Sequence, residues 1–109
     1  RPDDQVQTLT AGYIVHSMKP DHPVLVLDVR KETEFRQGHL PGAINLPLAN
    51  INEAHHVLDK QRSYFVYCAG GYRSMAFNSI LKARGFPHLI DIQGGFNALQ
   101  RFSALELEY

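Results

Sequence analysis

Hydrophobic and polar positions follow two rhythms along this chain. The runs VLVLDV at 24–29 and SYFVY at 63–67 are almost continuously apolar, rich in β-branched and aromatic side chains, and punctuated by Pro23 before the first and glycines after the second. Such runs predict strands covered on both faces, as in a parallel sheet. AINL at 43–46 and HLIDI at 88–92 predict two further strands, and residues 5–9 at most a short edge strand. Between them the period lengthens. Ala11, Ile14, Val15 and Met18 recur at helical spacing behind Thr10, a good N-cap, until Pro20 ends the pattern. Residues 31–38 predict a short helix closing at Gly38, followed by a turn at HLPG, 39–42. Residues 50–59 are mildly helical. Met75, Ala76, Phe77, Ile80, Leu81 and Ala83 predict the apolar face of a helix over 74–84 that docks on the sheet and ends at Gly85. Gly94 and Gly95 introduce a last helix carrying Phe96, Ala98, Leu99 and Phe102, and the tail from Ala104 onward shows no informative pattern. Strands alternating with helices predict an α/β domain with a mainly parallel sheet.

Composition narrows what such a domain does. With 109 residues, 44% of them hydrophobic, the chain is sized for one domain over 1–109 with an ordinary core. Eleven basic residues balance eleven acidic ones, and no basic cluster is present to track a phosphate backbone, so nucleic acid is not the expected partner. No apolar stretch nears the ~20 residues that cross a bilayer, so no membrane partner is expected either. A single cysteine forms no internal disulfide, which points to a reducing compartment and a cytoplasmic location. The start at Arg1 rather than methionine fits an excised domain or a processed product. His55 and His56 are adjacent and share no helix face, and no cysteine or carboxylate spacing completes a zinc site, so no metal is expected.

The cysteine lies where chemistry is expected. Cys68 ends the 63–67 strand, and AGGYRS at 69–74 leads straight into a helix, at the sheet edge where open α/β domains bind ligands. Free amides at a helix start favour an anion, and Gly70 and Gly71 can turn successive N–H groups inward as a nest. A lone cysteine is more often a small buried hydrophobe. Strand end, glycine pair, Arg73 and helix start together favour catalysis or sulfur binding instead. Four residues separate Cys68 from Arg73. Cysteine-dependent phosphatases and arsenate reductases of related topology use a loop one residue longer, wide enough for a tetrahedral oxyanion, whereas the shorter ring suits a single terminal sulfur.

CAGGYRS at 68–74 resembles the active-site loop of the rhodanese-like sulfurtransferases, and LDVR at 27–30 with GHLPGAINLP at 38–47 resembles that family's other two signatures. The resemblance implies a three-layer α/β/α fold with about five mainly parallel strands. It also implies sulfurtransferase activity, in which Cys68 takes a sulfane sulfur from a donor as a persulfide and passes it to a thiophilic acceptor. Cys68 and Arg73 would be the catalytic residues. The loop positions Ala69, Gly70, Gly71, Tyr72 and Ser74, with Arg30, would bind the substrate, and Asp28 would pair with Arg30 as structural support. The persulfide on Cys68 is covalent, so no cofactor is implied. Partners would be a small sulfur-containing anion or persulfide as donor and a thiol, cyanide or a protein as acceptor. Glu34 and His39 fall in matched segments but read as a helix-start carboxylate and a surface histidine.

The loop departs from thiosulfate-preferring members in one respect. They commonly carry extra basic residues there, whereas Arg73 is the one cation between 68 and 74, which leaves room for glutathione persulfide or a protein persulfide as donor. Its wording also resembles rhodanese domains fused behind metallo-β-lactamase-like persulfide dioxygenases, so a covalent fusion partner in a longer parent chain is an expectation. Two rivals stay open: a phosphatase, disfavoured by the spacing, and a catalytically silent binding or regulatory module, which commonly lacks the cysteine retained here.

Overall fold

A computed structural model describes residues 7–17, 25–102 and 106–109. Its five strands are β1 (Gln7–Thr10), β2 (Val26–Asp28), β3 (Ile44–Asn45), β4 (Tyr64–Tyr67) and β5 (Leu89–Gln93), ordered β1-β5-β4-β2-β3 and paired in parallel throughout. The helices are α1 (Ala11–Ser17), α2 (Glu32–Arg36), α3 (Ala54–Val57), α4 (Tyr72–Ala83) and α5 (Gly95–Leu99), with a 3-10 turn at Leu48–Glu53 ahead of α3. The three-layer arrangement follows from strand alternation, which sends successive side chains to opposite faces. Leu27, Tyr64, Val66 and Leu89 pack with Phe77 and Leu81 of α4 and Ala54 of α3 on one face. Val26, Tyr67 and Ile92 pack with Ala11 and Ile14 of α1 and Phe96 and Leu99 of α5 on the other. No helix among the described residues is long and apolar enough to cross a membrane.

Several expectations shift. The edge strand expected at 5–9 is β1, Gln7–Thr10, its described part lying at the sheet's rim. Thr10 caps α1 as expected, its Oγ1 accepting the Tyr13 amide at 3.2 Å, while Met18 and Pro20 lie outside the described residues. Of the strand expected at 24–29, Val24 lies outside the described residues and β2 covers Val26–Asp28, with parallel hydrogen bonds continuing at both ends, from Phe65 N to Leu25 O and from Val29 N to Tyr67 O. The face of α4 differs most. It begins at Tyr72 and buries Ser74, Phe77, Asn78 and Leu81, leaving Met75, Ala76 and Ile80 turned outward. An apolar count misplaced this face because two of its four buried positions are polar.

The tail, uninformative in sequence, closes a loop far away in the chain. His39 and Glu108 exchange backbone hydrogen bonds at 2.9 Å in both directions, and Glu108 Oε1 accepts the Gly42 amide at 2.6 Å. His39 is therefore no surface histidine. It is 7% exposed, its ring stacks on Phe35 at 3.6 Å, and its Nδ1 lies 2.8 Å from the Phe35 carbonyl.

Candidate active site

Cys68 sits at the end of β4, the strand between β5 and β2, and the loop after it is built by backbone. Gly71 is the N-cap of α4 at φ +113, a conformation that L side chains rarely adopt, and it turns its amide onto Cys68 Sγ at 3.1 Å. The amides of Tyr72, Arg73 and Ser74 follow in the first helical turn, where no intrahelical carbonyl is available to them. Together with the helix dipole they favour negative charge at the sulfur. Cys68 itself is 1% exposed, and its thiol donates to Ser74 Oγ at 3.5 Å.

The loop is clamped from below by the next glycine pair. Phe96 N donates to Cys68 O at 2.7 Å and Asn97 N to Ala69 O at 3.0 Å, so the start of α5 holds the first two loop carbonyls. This approach demands glycine at 95, because a Cβ there would collide with both carbonyl oxygens. Gly95 thus positions the cysteine loop across the chain, a role hidden in a sequence where two glycines read simply as a helix start. The repeated glycine pair, once after Cys68 and once before α5, was the available signal.

Two arginines lie near this loop in contrasting states. Arg30 is 4% exposed, and its guanidinium is committed: Nε lies 3.0 Å from both Asp28 carboxylate oxygens, Nη2 lies 2.6 Å from Oδ2 and also donates to the Gly38 carbonyl at 2.7 Å. Its Cζ lies 4.2 Å from the centroid of the Phe96 ring and 5.6 Å from that of Tyr67. That is the placement of a strut tying the end of β2 to α5 and to the turn after α2, with Asp28 as its support. Arg73 remains at the rim. Nη1 and Nη2 bond the two Glu34 carboxylate oxygens at 2.6 and 3.1 Å, a bidentate pair from α4 to α2 with about a third of each side chain exposed. The Arg73 hydrogen bond holds the Glu34 carboxyl down at about 2, helped by the Lys31 amide on the same carboxylate. Glu34, read in sequence as a helix-start carboxylate, also neutralises the loop's one cation.

The remaining loop positions separate by exposure. Tyr72 is 91% exposed, Ala69 is half-buried, Gly70 is exposed, and Ser74 is buried beneath the sulfur. One buried partner is absent from every motif. Asp91 of β5 accepts from Ser74 Oγ at 2.5 Å and from Thr8 Oγ1 at 3.5 Å, and burial raises its proton affinity above that of an ordinary carboxylate. A cleft of about 480 Å³ lined by Phe35, His39, Asn45, Pro47 and Tyr109, among others, shares no lining residue with the loop. Among the described residues, no group of three His, Cys, Asp or Glu side chains is placed to hold a metal.

The sequence profile of the rhodanese-like domain matches residues 13–101. The putative sulfurtransferase YtwF of Bacillus subtilis is 27% identical over 86% of this chain and 90% of its own length. A sulfurtransferase of Allochromatium vinosum is 32% identical over 72% of this chain and 73% of its own length. Among solved structures, a rhodanese-like domain protein from Staphylococcus aureus superposes with a TM-score of 0.83 at 27% identity, covering 95% of this chain and all of that one. Against several larger relatives the chain spans less than half of their length.

Proposed function

Because the chain belongs to the rhodanese-like domain family, we propose that it is a sulfurtransferase working through a persulfide on Cys68. The observation that carries this reading is the Gly71 amide on Cys68 Sγ at 3.1 Å, at the head of a helix whose first-turn amides are free to receive charge. In the first half-reaction the Cys68 thiolate attacks the outer sulfur of the donor. A bond forms between the two sulfurs, the donor's own bond to that sulfur breaks, and the leaving group takes the electron pair. The persulfide anion then lies in the amide cradle. In the second half-reaction a nucleophilic acceptor takes the outer sulfur and the electron pair returns to Cys68 as thiolate.

The donor we propose is a low-molecular-weight or protein persulfide rather than thiosulfate. Arg73 is the loop's one cation, and Glu34 already binds it through both carboxylate oxygens, so little positive charge remains to draw a dianion. Arg73 then acts chiefly by closing the loop onto α2. The test is a donor comparison: thiocyanate release on cyanide discharge after exposure to glutathione persulfide or to thiosulfate, with an aryl phosphate assayed alongside. Faster loading from the persulfide and no phosphate release support the reading. Phosphate release without any thiocyanate would sink it.

A further inference from the structure

A buried hydrogen-bond chain runs from the sheet edge to the reactive sulfur. Thr8 Oγ1 of β1 donates to Asp91 Oδ2 at 3.5 Å, Ser74 Oγ of α4 donates to Asp91 Oδ1 at 2.5 Å, and the Cys68 thiol donates to Ser74 Oγ at 3.5 Å. Cys68, Ser74 and Asp91 are at most 3% exposed. Sulfur transfer as written above needs no carboxylate under the loop, and a hydroxyl alone would satisfy the thiol. An aspartate inside the otherwise apolar stretch of β5 carries a desolvation penalty that Asn or Ser would avoid. Among the described residues it has no ion pair: Thr8 faces it from β1, Ser74 from α4, Val66 is its register partner on β4, and burial and the two hydroxyls are what act on its proton affinity. Among the described residues, Arg73 interacts electrostatically with Cys68 and is itself held by Glu34 of α2.

We propose that Asp91 accepts the proton of the Cys68 thiol through Ser74 Oγ and thereby generates the thiolate that attacks the sulfur donor. As the Ser74 hydroxyl proton moves to Asp91 Oδ1, the thiol proton moves to Ser74 Oγ. One S–H and one O–H bond break, two O–H bonds form, and the negative charge passes from Asp91 to Cys68. Gly71 N and the first-turn amides of α4 receive it there. The Ser74 hydroxyl then points at the sulfur, and protonated Asp91 donates to Ser74. Ser74 Oγ also lies 3.2 Å from the Gly71 carbonyl, the alternative direction for its proton when the relay is at rest. Burial, which raises the proton affinity of Asp91, makes it the stronger acceptor. A protonated Asp91 also leaves the persulfide as the single negative charge on this chain, sparing the site two repelling anions. Asp91 is in these terms a positioning residue, acting on the sulfur through Ser74.

This inference rests on Cys68 as the sulfur-accepting nucleophile, and its test reads the proton without any sulfur donor. Cysteine labelled with ¹³C at Cβ gives one resonance, because Cys68 is the only cysteine. Its shift against pH yields the thiolate midpoint directly. Carbon-13 at the aspartate Cγ, with Asp91 assigned by its loss in Asp91→Asn, reports whether that carboxyl holds a proton. As Cys68 ionises, the Asp91 carboxyl should stay protonated. Asp91→Asn carries no charge, as protonated Asp91 carries none, and should keep the wild-type midpoint, whereas removal of an Asp91 ionised beside the thiolate would lower the midpoint by about one pH unit or more. Ser74→Ala removes the hydroxyl that points at the sulfur and should raise the midpoint. An Asp91 carboxyl that is ionised while Cys68 titrates overturns the relay, as does a midpoint that falls in Asp91→Asn or stays unchanged in Ser74→Ala. A protonated Asp91 beside the thiolate in a protein that accepts sulfur from no donor would keep the relay and reject sulfur transfer. Normal transfer with an ionised Asp91 does the reverse.

Discussion

The strand that carries Cys68 lies between two strands that each bury an aspartate, and the two carboxylates are held in opposite ways. Asp28 of β2 faces the α1 and α5 side of the sheet and accepts three guanidinium contacts and the backbone amide of Arg30. Asp91 of β5 faces α4 and accepts two hydroxyls. The first charge is neutralised in place by a guanidinium that lies over the Phe96 ring, so the pair serves as a fixed strut. The second has no ion pair among the described residues, so its charge can leave, and the sulfur lies two hydrogen bonds from it. One residue type supplies rigidity on one side of the cysteine loop and proton affinity on the other, and the neighbours decide which.

The largest expected effect tests the strut. Asp28→Asn leaves the Arg30 guanidinium buried without its counter-charge, and unfolding in urea should show a loss of about 3–5 kcal/mol. A loss below about 1 kcal/mol would mean that Asp28 is no more firmly committed than Asp91, and the contrast would collapse.

Asp91→Asn should do the opposite to stability. Its folded carboxyl binds a proton more tightly than the unfolded one, so the wild-type domain loses stability as pH rises from the ordinary carboxylate range through the raised folded value. Removing the charge should leave stability at neutral pH unchanged or higher by about 1 kcal/mol, while sulfur transfer slows. A variant both unstable and inactive would reduce Asp91 to a second strut.

The smallest effect concerns the rim pair. Glu34 is held at about 2, so the stability it contributes is present above the unfolded carboxylate value and is lost as pH falls from there through about 2. The pair is about a third exposed and screened by solvent, so Glu34→Gln should cost about 0.5 kcal/mol at neutral pH, read by thermal unfolding. Freed from Glu34, Arg73 should also make thiosulfate a better donor relative to glutathione persulfide. An unchanged donor ratio would separate loop closure from donor choice.

Which parts of this were legible in the sequence follows from how local their causes are. The apolar run of β4, the glycine pair after Cys68 and the helix behind it are neighbours in the chain, so the cradle could be read from a dozen consecutive residues. Asp28 and Arg30, two positions apart at a strand end, were readable for the same reason. Asp91 was not, because a single acidic residue in a short strand reads as ordinary polar punctuation until topology sets β5 beside β4 and α4 above it. The face of α4 was misread through the same contact: Ser74 is buried for its hydrogen bonds rather than for apolar area. The Glu34 partnership spans 39 positions and the Glu108 closure of the turn at Gly42 spans 66, distances at which periodicity carries no signal.

The measurement that bears most directly on the whole account is the intact mass of the protein before and after exposure to glutathione persulfide. A gain of one sulfur atom in the wild type, removed by cyanide and absent from Cys68→Ser, is the predicted result. An unchanged mass with every donor, or an equal gain in Cys68→Ser, would contradict it.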